Sequence, residues 1–289
     1  MNGILLVDKP TDWTSSDVVA KLRGLLHEKR IGHSGTLDPM ATGLLVVFVG
    51  RATRAVEFAE SQEKRYLASL RLGLVTDTQD ITGNRISGEP REISEAELEK
   101  TLALFRGEIQ QIPPMYSAIK VGGKKLYEIA RRGGEVERRP RPVRIRELRL
   151  LGREGEDWLL DVTCSKGTYI RTLCHDIGHS LGCGGCMSAL RRVMAGEFSL
   201  DSAHTLDQIR EAADRGEAEK LLLPVDSLFR DYPSLCLDAR GESRIRCGGS
   251  LTSGAREGSY RLYGPDGAFL ALARVSVGEL KTIKSFFEV

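Results

Sequence analysis

Residues 32–45 read Gly-His-Ser-Gly-Thr-Leu-Asp-Pro-Met-Ala-Thr-Gly-Leu-Leu, and an unbroken apolar run, Leu44 to Val49, continues them. A short apolar run bounded by turn signals marks a fully buried strand. The loop before it is built from turn formers. Gly32, Gly35 and Gly43 admit tight backbone conformations that other residues resist. Pro39 fixes its own φ and restricts Asp38 to extended geometry. Asp38, the one carboxylate of the stretch, is therefore held stiffly beside a rigid strand, where catalytic groups tend to sit. An Asp before Pro in a Gly-rich loop also serves as an ordinary turn residue or cap. Local chemistry alone leaves both readings open.

With 289 residues, 41% hydrophobic and 28% charged, the chain has room and composition for one large globular domain plus a small one. No apolar run approaches membrane-spanning length and no basic-then-apolar segment opens the chain, so a cytoplasmic protein without membrane contact is expected. Net charge is only +2, yet residues 121–149 carry two Lys and eight Arg against four Glu, a local net of +6. Such a concentration suits a phosphate backbone, and equally a solvated surface segment. Six cysteines stand at 164, 174, 183, 186, 236 and 247. In a large chain without an export signal, reduced thiols are the expectation. Cys183-Gly184-Gly185-Cys186 has zinc or redox spacing but lacks a second clear ligand pair, so no metal is expected.

Periodicity lays out a mixture of strands and helices. Ile4–Val7 reads as a short core strand. Asp17 to His27 carries Val18, Val19, Leu22, Leu25 and Leu26 at helical spacing, with Thr14, Ser15 and Ser16 as candidate caps. Tyr66 to Leu74 alternates like a strand. Ser94-Glu95-Ala96-Glu97 has the form of a capping box for a helix to about Phe105, and Thr205-Leu206-Asp207-Gln208 is another. Residues 122–142 are too polar for a core, with a short helical piece near Leu126–Arg131. Trp158 to Cys164 reads as a strand and Tyr169 to Leu181 as a helix. Pro224 to Pro233 suggests a boundary. Beyond it, strand-like pieces at Leu235–Leu237, Tyr260–Tyr263, Phe269–Val275 and Ser285–Val289 suggest a small β module, near the lower size for independent folding.

Five ordered segments, spanning residues 7–171, resemble the TruB family of tRNA pseudouridine synthases. They are Val7-Asp8-Lys9-Pro10; the loop around Asp38; Lys64-Arg65-Tyr66 running into Leu72–Thr78; Pro113-Pro114-Met115-Tyr116-Ser117-Ala118; and Gly167-Thr168-Tyr169-Ile170-Arg171. The resemblance implies an α+β pseudouridine synthase fold, with a mixed, largely antiparallel central sheet flanked by helices. It implies a catalytic domain over 1–230, with a basic RNA-clamping insertion at about 121–145. A PUA-like RNA-binding pseudo-barrel would follow over 231–289. The implied activity is isomerisation of uridine 55 in the T-arm of tRNA, without cofactor or metal, by a protein expected to act as a monomer.

By the same resemblance Asp38, Tyr66 and Arg171 form the catalytic set: Asp38 carries the chemistry, Arg171 pairs with it, and Tyr66 stacks on the target base and assists proton removal from C5. Tyr169 lines the uridine pocket and Leu190 contacts the uracil through its backbone. His33 packs beside the everted nucleotides, and Lys9 supports the active-site loop or nearby phosphates. From the residues alone, blander readings stand beside these. Tyr66, Tyr169 and Leu190 suit core packing, His33 a hydrogen-bonded turn, and Arg171 and Lys9 a solvated surface.

Overall fold

The structure, a computed structural model, describes residues 1–60 and 62–287. Its centre is a sheet of nine strands among the described residues. The labelled elements are β1 (Gly3–Lys9), α1 (Ser15–Leu25), β2 (Ile31–Ser34), β3 (Thr42–Val49), β4 (Lys64–Leu72), α2 (Glu95–Leu102), β5 (Gly107–Gln111), β6 (Arg141–Glu154), β7 (Asp157–Cys164), α3 (Ile170–Ser180), β8 (Gly185–Ala195), α4 (Leu206–Asp214) and α5 (Ala239–Arg246). The sheet runs β1-β3-β8-β4-β7-β6-β5, with β2 added against β3 and Phe198–Ser199 against β8. All of these pairings are antiparallel except β8 on β3, which meet in parallel at Arg191–Thr42 and Arg192–Gly43.

The apolar run of β3 is continuous because both of its faces are covered. Side chains alternate across a strand. Leu44, Val46 and Phe48 enter one core cluster, and Leu45, Val47 and Val49 enter another. β1 divides the same way, Ile4 and Leu6 from Leu5 and Val7. α1 closes the second cluster with Val18, Val19 and Leu22, and starts at a full capping box between Thr14 and Asp17. β4 alternates because only one of its faces is covered. Tyr66, Ala68 and Leu70 are buried with α3, whereas Leu67 is 38% exposed. The sheet is thus sealed on both faces at one end and open on one face at the other.

Most boundaries expected from periodicity fall within a few residues of these elements, and the differences have local causes. Ser94 caps α2 by accepting from the Glu97 amide. The basic stretch expected as an insertion to about 145 ends earlier: from Arg141 the chain is β6, paired with β5 and β7. The many arginines mask an alternation in which Val143 and Ile145 are buried. Residues 120–130 form a two-residue hairpin and the helix Leu126–Ala130, a flap anchored by the buried Leu126.

Near the C-terminus, five strands run in the order Ser234–Cys236, Gly258–Tyr263, Phe269–Ser276, Glu279–Ser285, Leu251–Thr252. The strand expected over Ser285–Val289 lies earlier, because Val277 and Gly278, both at positive φ, turn the chain there. A β-branched residue rarely adopts that conformation, which hid the turn. Residues 288–289 of that expectation lie outside the described residues. α5 was not expected, since only Gly241 and Ile245 of its eight residues are buried.

The terminal sheet has a core of its own around Leu262, Leu270 and Val275. It also shares one with the rest of the chain. Leu272 and Phe286 join Leu228, Phe229 and the inner residues of β1 and β3. The stretch expected as a boundary is therefore packed, with Phe229 only 2% exposed. Its ring lies 5.3 Å from Phe58, 6.1 Å from Phe269 and 5.9 Å from Phe286. Arg54 reaches Ser285 and Lys284 reaches Glu57 around the rim. A Phe229→Ala variant is expected to lose about 3–5 kcal/mol of stability, the usual cost of emptying such a site. Denaturant unfolding followed by fluorescence checks this; a loss under about 1 kcal/mol would mean the seam is loosely packed.

Candidate active site

The loop that carries Asp38 is tied down on both sides. The Ser15 hydroxyl, buried at the start of α1, bonds both the amide and the carbonyl of Leu37. The Asp12 amide donates to the Pro39 carbonyl at 2.9 Å. Lys9 lies beneath, with no exposed surface. Its ammonium donates to the carbonyls of Pro10 (2.8 Å), Trp13 (2.6 Å) and Pro39 (3.2 Å). Lys9 thus bonds the loop backbone, and burial lowers its pKa to about 8. An isolated buried ammonium would be costly, and its three carbonyl partners offset that cost.

Arg171 stands in the first turn of α3, where the helix dipole opposes a cation. It is 6% exposed, and carboxylates and carbonyls hold it there. Nε meets Asp38 Oδ2 at 2.9 Å and Nη2 donates to Asp38 Oδ1 at 3.2 Å. This two-point contact fixes the carboxylate plane as a single bond would not. Nη1 donates to the Thr78 carbonyl at 3.1 Å and Nη2 to the Tyr116 carbonyl at 2.8 Å. A second carboxylate, Asp80, lies 3.7 Å from Nη1. Asp80 escaped the sequence reading, although Thr78-Gln79-Asp80-Ile81-Thr82 has the composition of a side-chain-closed turn. Its carboxylate accepts from the hydroxyls of Thr78 and Thr82 and from the Thr82 amide.

Asp38 keeps 35% of its side chain open while Arg171 beneath it keeps 7%. The acid is thus reachable from outside but poorly hydrated. Burial raises its pKa above the usual carboxylate value, and Arg171 pulls against that rise.

Tyr66, Leu37 and Leu190 share one core cluster with Ile170 and Leu173 of α3. Tyr66 is 9% exposed, and burial raises its phenol pKa. Tyr169 precedes α3 and is half-buried. The buried Gln111 clamps it, accepting from the Tyr169 amide at 3.0 Å and donating to its carbonyl at 3.2 Å. Gln111 is a second residue missed, since nothing in its local sequence marks it. Both tyrosines and Arg171 lie within electrostatic reach of Asp38. His33 sits on the short strand β2 and not in the open loop. Its Nδ1 is buried without a partner among the described residues, and burial lowers its pKa.

The flap springs from the site itself: Tyr116 bonds Arg171 through its carbonyl, and the Ser117 carbonyl accepts from the Tyr127 amide. Lys125 and Arg131 both cover the Tyr127 ring. Arg146 and Arg149 of the basic stretch already face Glu63 (3.4 Å) and Asp161 (2.6 Å) on the sheet. Cys183 and Cys186 are buried behind α3, where a side chain on Gly178 would strike the backbone of Gly184 and Gly185. The glycines between the two cysteines serve that close approach of helix and strand. No helix among the described residues is long and apolar enough to cross a membrane.

Comparison with known proteins identifies the family. The profile described as "TruB family pseudouridylate synthase (N terminal domain)" matches residues 23–170, and "tRNA pseudouridylate synthase B C-terminal domain" matches 171–230. A protein named tRNA pseudouridine synthase B from Syntrophomonas wolfei is 46% identical over 283 residues, covering 96% of this chain and 94% of that one. Another of that name from Syntrophotalea carbinolica is 43% identical, covering 100% of this chain and 97% of that one. Among solved structures, a chain in "Crystal Structure of a Cbf5-Nop10-Gar1 Complex" superposes with a TM-score of 0.76 at 26% identity, covering 99% of this chain and 85% of that one. The α+β fold, its mixed sheet and the curled terminal sheet are those of pseudouridine synthases, and the chain belongs to the TruB family of pseudouridylate synthases.

Proposed function

We propose that this pseudouridine synthase isomerises uridine 55 in the T-arm of tRNA, acting as a monomer, with Asp38 as its catalytic residue. The observation that carries the reading is the two-point grip of buried Arg171 on Asp38. It fixes a partly open carboxylate within electrostatic reach of two tyrosines, a place that a base stacked inside a helix would not reach. A nucleotide turned out of its stack would.

The reaction breaks the N1–C1′ bond, joins C5 to C1′, moves a proton off C5 and places one on N1. No electrons enter or leave. Asp38 either attacks the nucleoside or takes a ribose proton, and both routes need the ionised carboxylate. Tyr66 offers a flat face for the extruded base, and Tyr169 and the backbone of Leu190 line the same site. His33 packs beside the everted nucleotides. Lys9 keeps the loop in place. A stem-loop is read through shape and backbone. The flap and the basic segment after it, together residues 120–140, supply cations on one side and the terminal module, residues 231–289, extends the RNA surface on the other.

An unmodified tRNA transcript incubated with the protein and mapped for pseudouridine tests this. One modified position, 55, is expected, and a transcript with cytidine there should stay unmodified. Modification confined to other positions would overturn the assignment of target.

A further inference from the structure

Arg192 is the largest fully buried side chain among the described residues, at 1% exposure. No carboxylate lies within ion-pair distance of it among those residues. A buried guanidinium without a counter-charge is costly unless its donors are well placed. Here they are. Nε donates to the Leu44 carbonyl at 2.7 Å and Nη2 to the Gly35 carbonyl at 2.9 Å. Across the β4–β8 pair the same guanidinium lies within electrostatic reach of the Tyr66 phenol. One side chain therefore ties the base of β3 to the loop of Asp38, beside the strand partner Tyr66.

The backbone is arranged to admit it. Arg192 pairs with Tyr66 on one side and Gly43 on the other. Gly43, at φ 96°, leaves room for the Arg192 main chain, which a Cβ would strike. Gly35, at φ 68°, leaves room for the guanidinium, with Nη1 only 3.0 Å from where a Cβ would stand. Two of the three glycines of the Asp38 loop are thus accounted for by one arginine. Gly32 has no such neighbour.

We propose that Arg192 is a positioning residue for the reaction: anchored on Gly35 and Leu44, it holds the Tyr66 ring at a fixed place opposite Asp38. This rests on the site reading given above. A buried tyrosine hydroxyl needs a partner. Without Arg192 the phenol would turn toward another, carrying the ring off the face it presents to an extruded base. A displacement of about 1 Å costs about 10²-fold in rate.

A double-mutant cycle tests this by single-turnover pseudouridine formation, with tRNA affinity measured separately. Arg192→Met is expected to slow the reaction about 100-fold, with the dissociation constant for tRNA changed less than about threefold. In a Tyr66→Phe background the same change should cost less than about fivefold, because the hydroxyl it acts through is gone. Arg192→Lys, which keeps charge but not the fork, should fall between wild type and Arg192→Met, and it carries the cycle if Arg192→Met fails to fold. Equal losses in both backgrounds, or a loss seen only in melting temperature or tRNA affinity, would make Arg192 merely structural and overturn the proposal. Asp38→Asn runs alongside. If it stays active, the site reading itself fails. If it is inactive while the arginine variants keep full rate, only the role given to Arg192 fails.

Discussion

Asp38→Asn is expected to lower pseudouridine formation by about 10³-fold or more, the scale for removing one positioned acid–base or covalent group, while tRNA stays bound. Asn is isosteric and its side-chain oxygen still accepts from Arg171, so the loop keeps its shape. Losing a negative charge beside a polyanion does not weaken binding and favours it slightly. Stability should not fall. Burial raises the Asp38 pKa, so the folded protein binds the proton more readily than the unfolded chain. Above the unfolded value the ionised carboxylate therefore costs stability, and at neutral pH Asn removes that cost. Single-turnover assays, gel-shift titration and thermal melts check the three parts. Retained modification would show that chemistry lies elsewhere. Lost binding with lost modification would point to a purely RNA-binding role for the loop.

Arg171→Met should be the second severe change, and it should harm rate and stability together. The substitution strips the partner from Asp38 and leaves the Thr78 and Tyr116 carbonyls without their donor. Asp38 is partly open and can be hydrated, so the stability cost comes mainly from the carbonyls left unpaired, about 1–3 kcal/mol. Turnover is expected to fall about 10²–10³-fold, as for loss of a preorganised electrostatic partner. The pH profile supplies the sharper readout. In the native site the rate should decline as pH falls through the raised pKa of Asp38, since protonation removes the active form. Arg171 lowers that pKa. Its loss raises it further, so the acid limb must move to higher pH. Arg171→Lys keeps a charge without the planar fork and should shift the limb less. A limb that stays in place would mean that another group governs it.

How far this site was legible in the sequence depended on how each group is held. Asp38, Tyr66, Tyr169 and Arg171 lie within segments of distinctive wording, and the fold brings them together. The continuous run of β3 and the alternation of β4 announced their strands because coverage of one face or two writes directly into hydrophobic pattern. Asp80, Gln111 and Arg192 were not legible as parts of a site. Each works through contacts to backbone carbonyls, hydroxyls or a distant arginine, and such contacts leave no periodic trace. Arg192 even reads as half of an ordinary surface pair with Arg191, whose partner Asp8 is itself partly exposed. The extent of the basic stretch was misjudged for a related reason. Arginine on the open face of a one-sided sheet has the composition of a loop.

The phenylalanine seam at Phe58, Phe229, Phe269 and Phe286 has a consequence for selectivity in the proposed reading. On that reading, this packed seam would make the C-terminal sheet and the Asp38 loop the two jaws of a fixed calliper. Such a tool gauges an RNA arm by its span: a helix too short or too long touches one jaw and misses the other, whatever its bases spell.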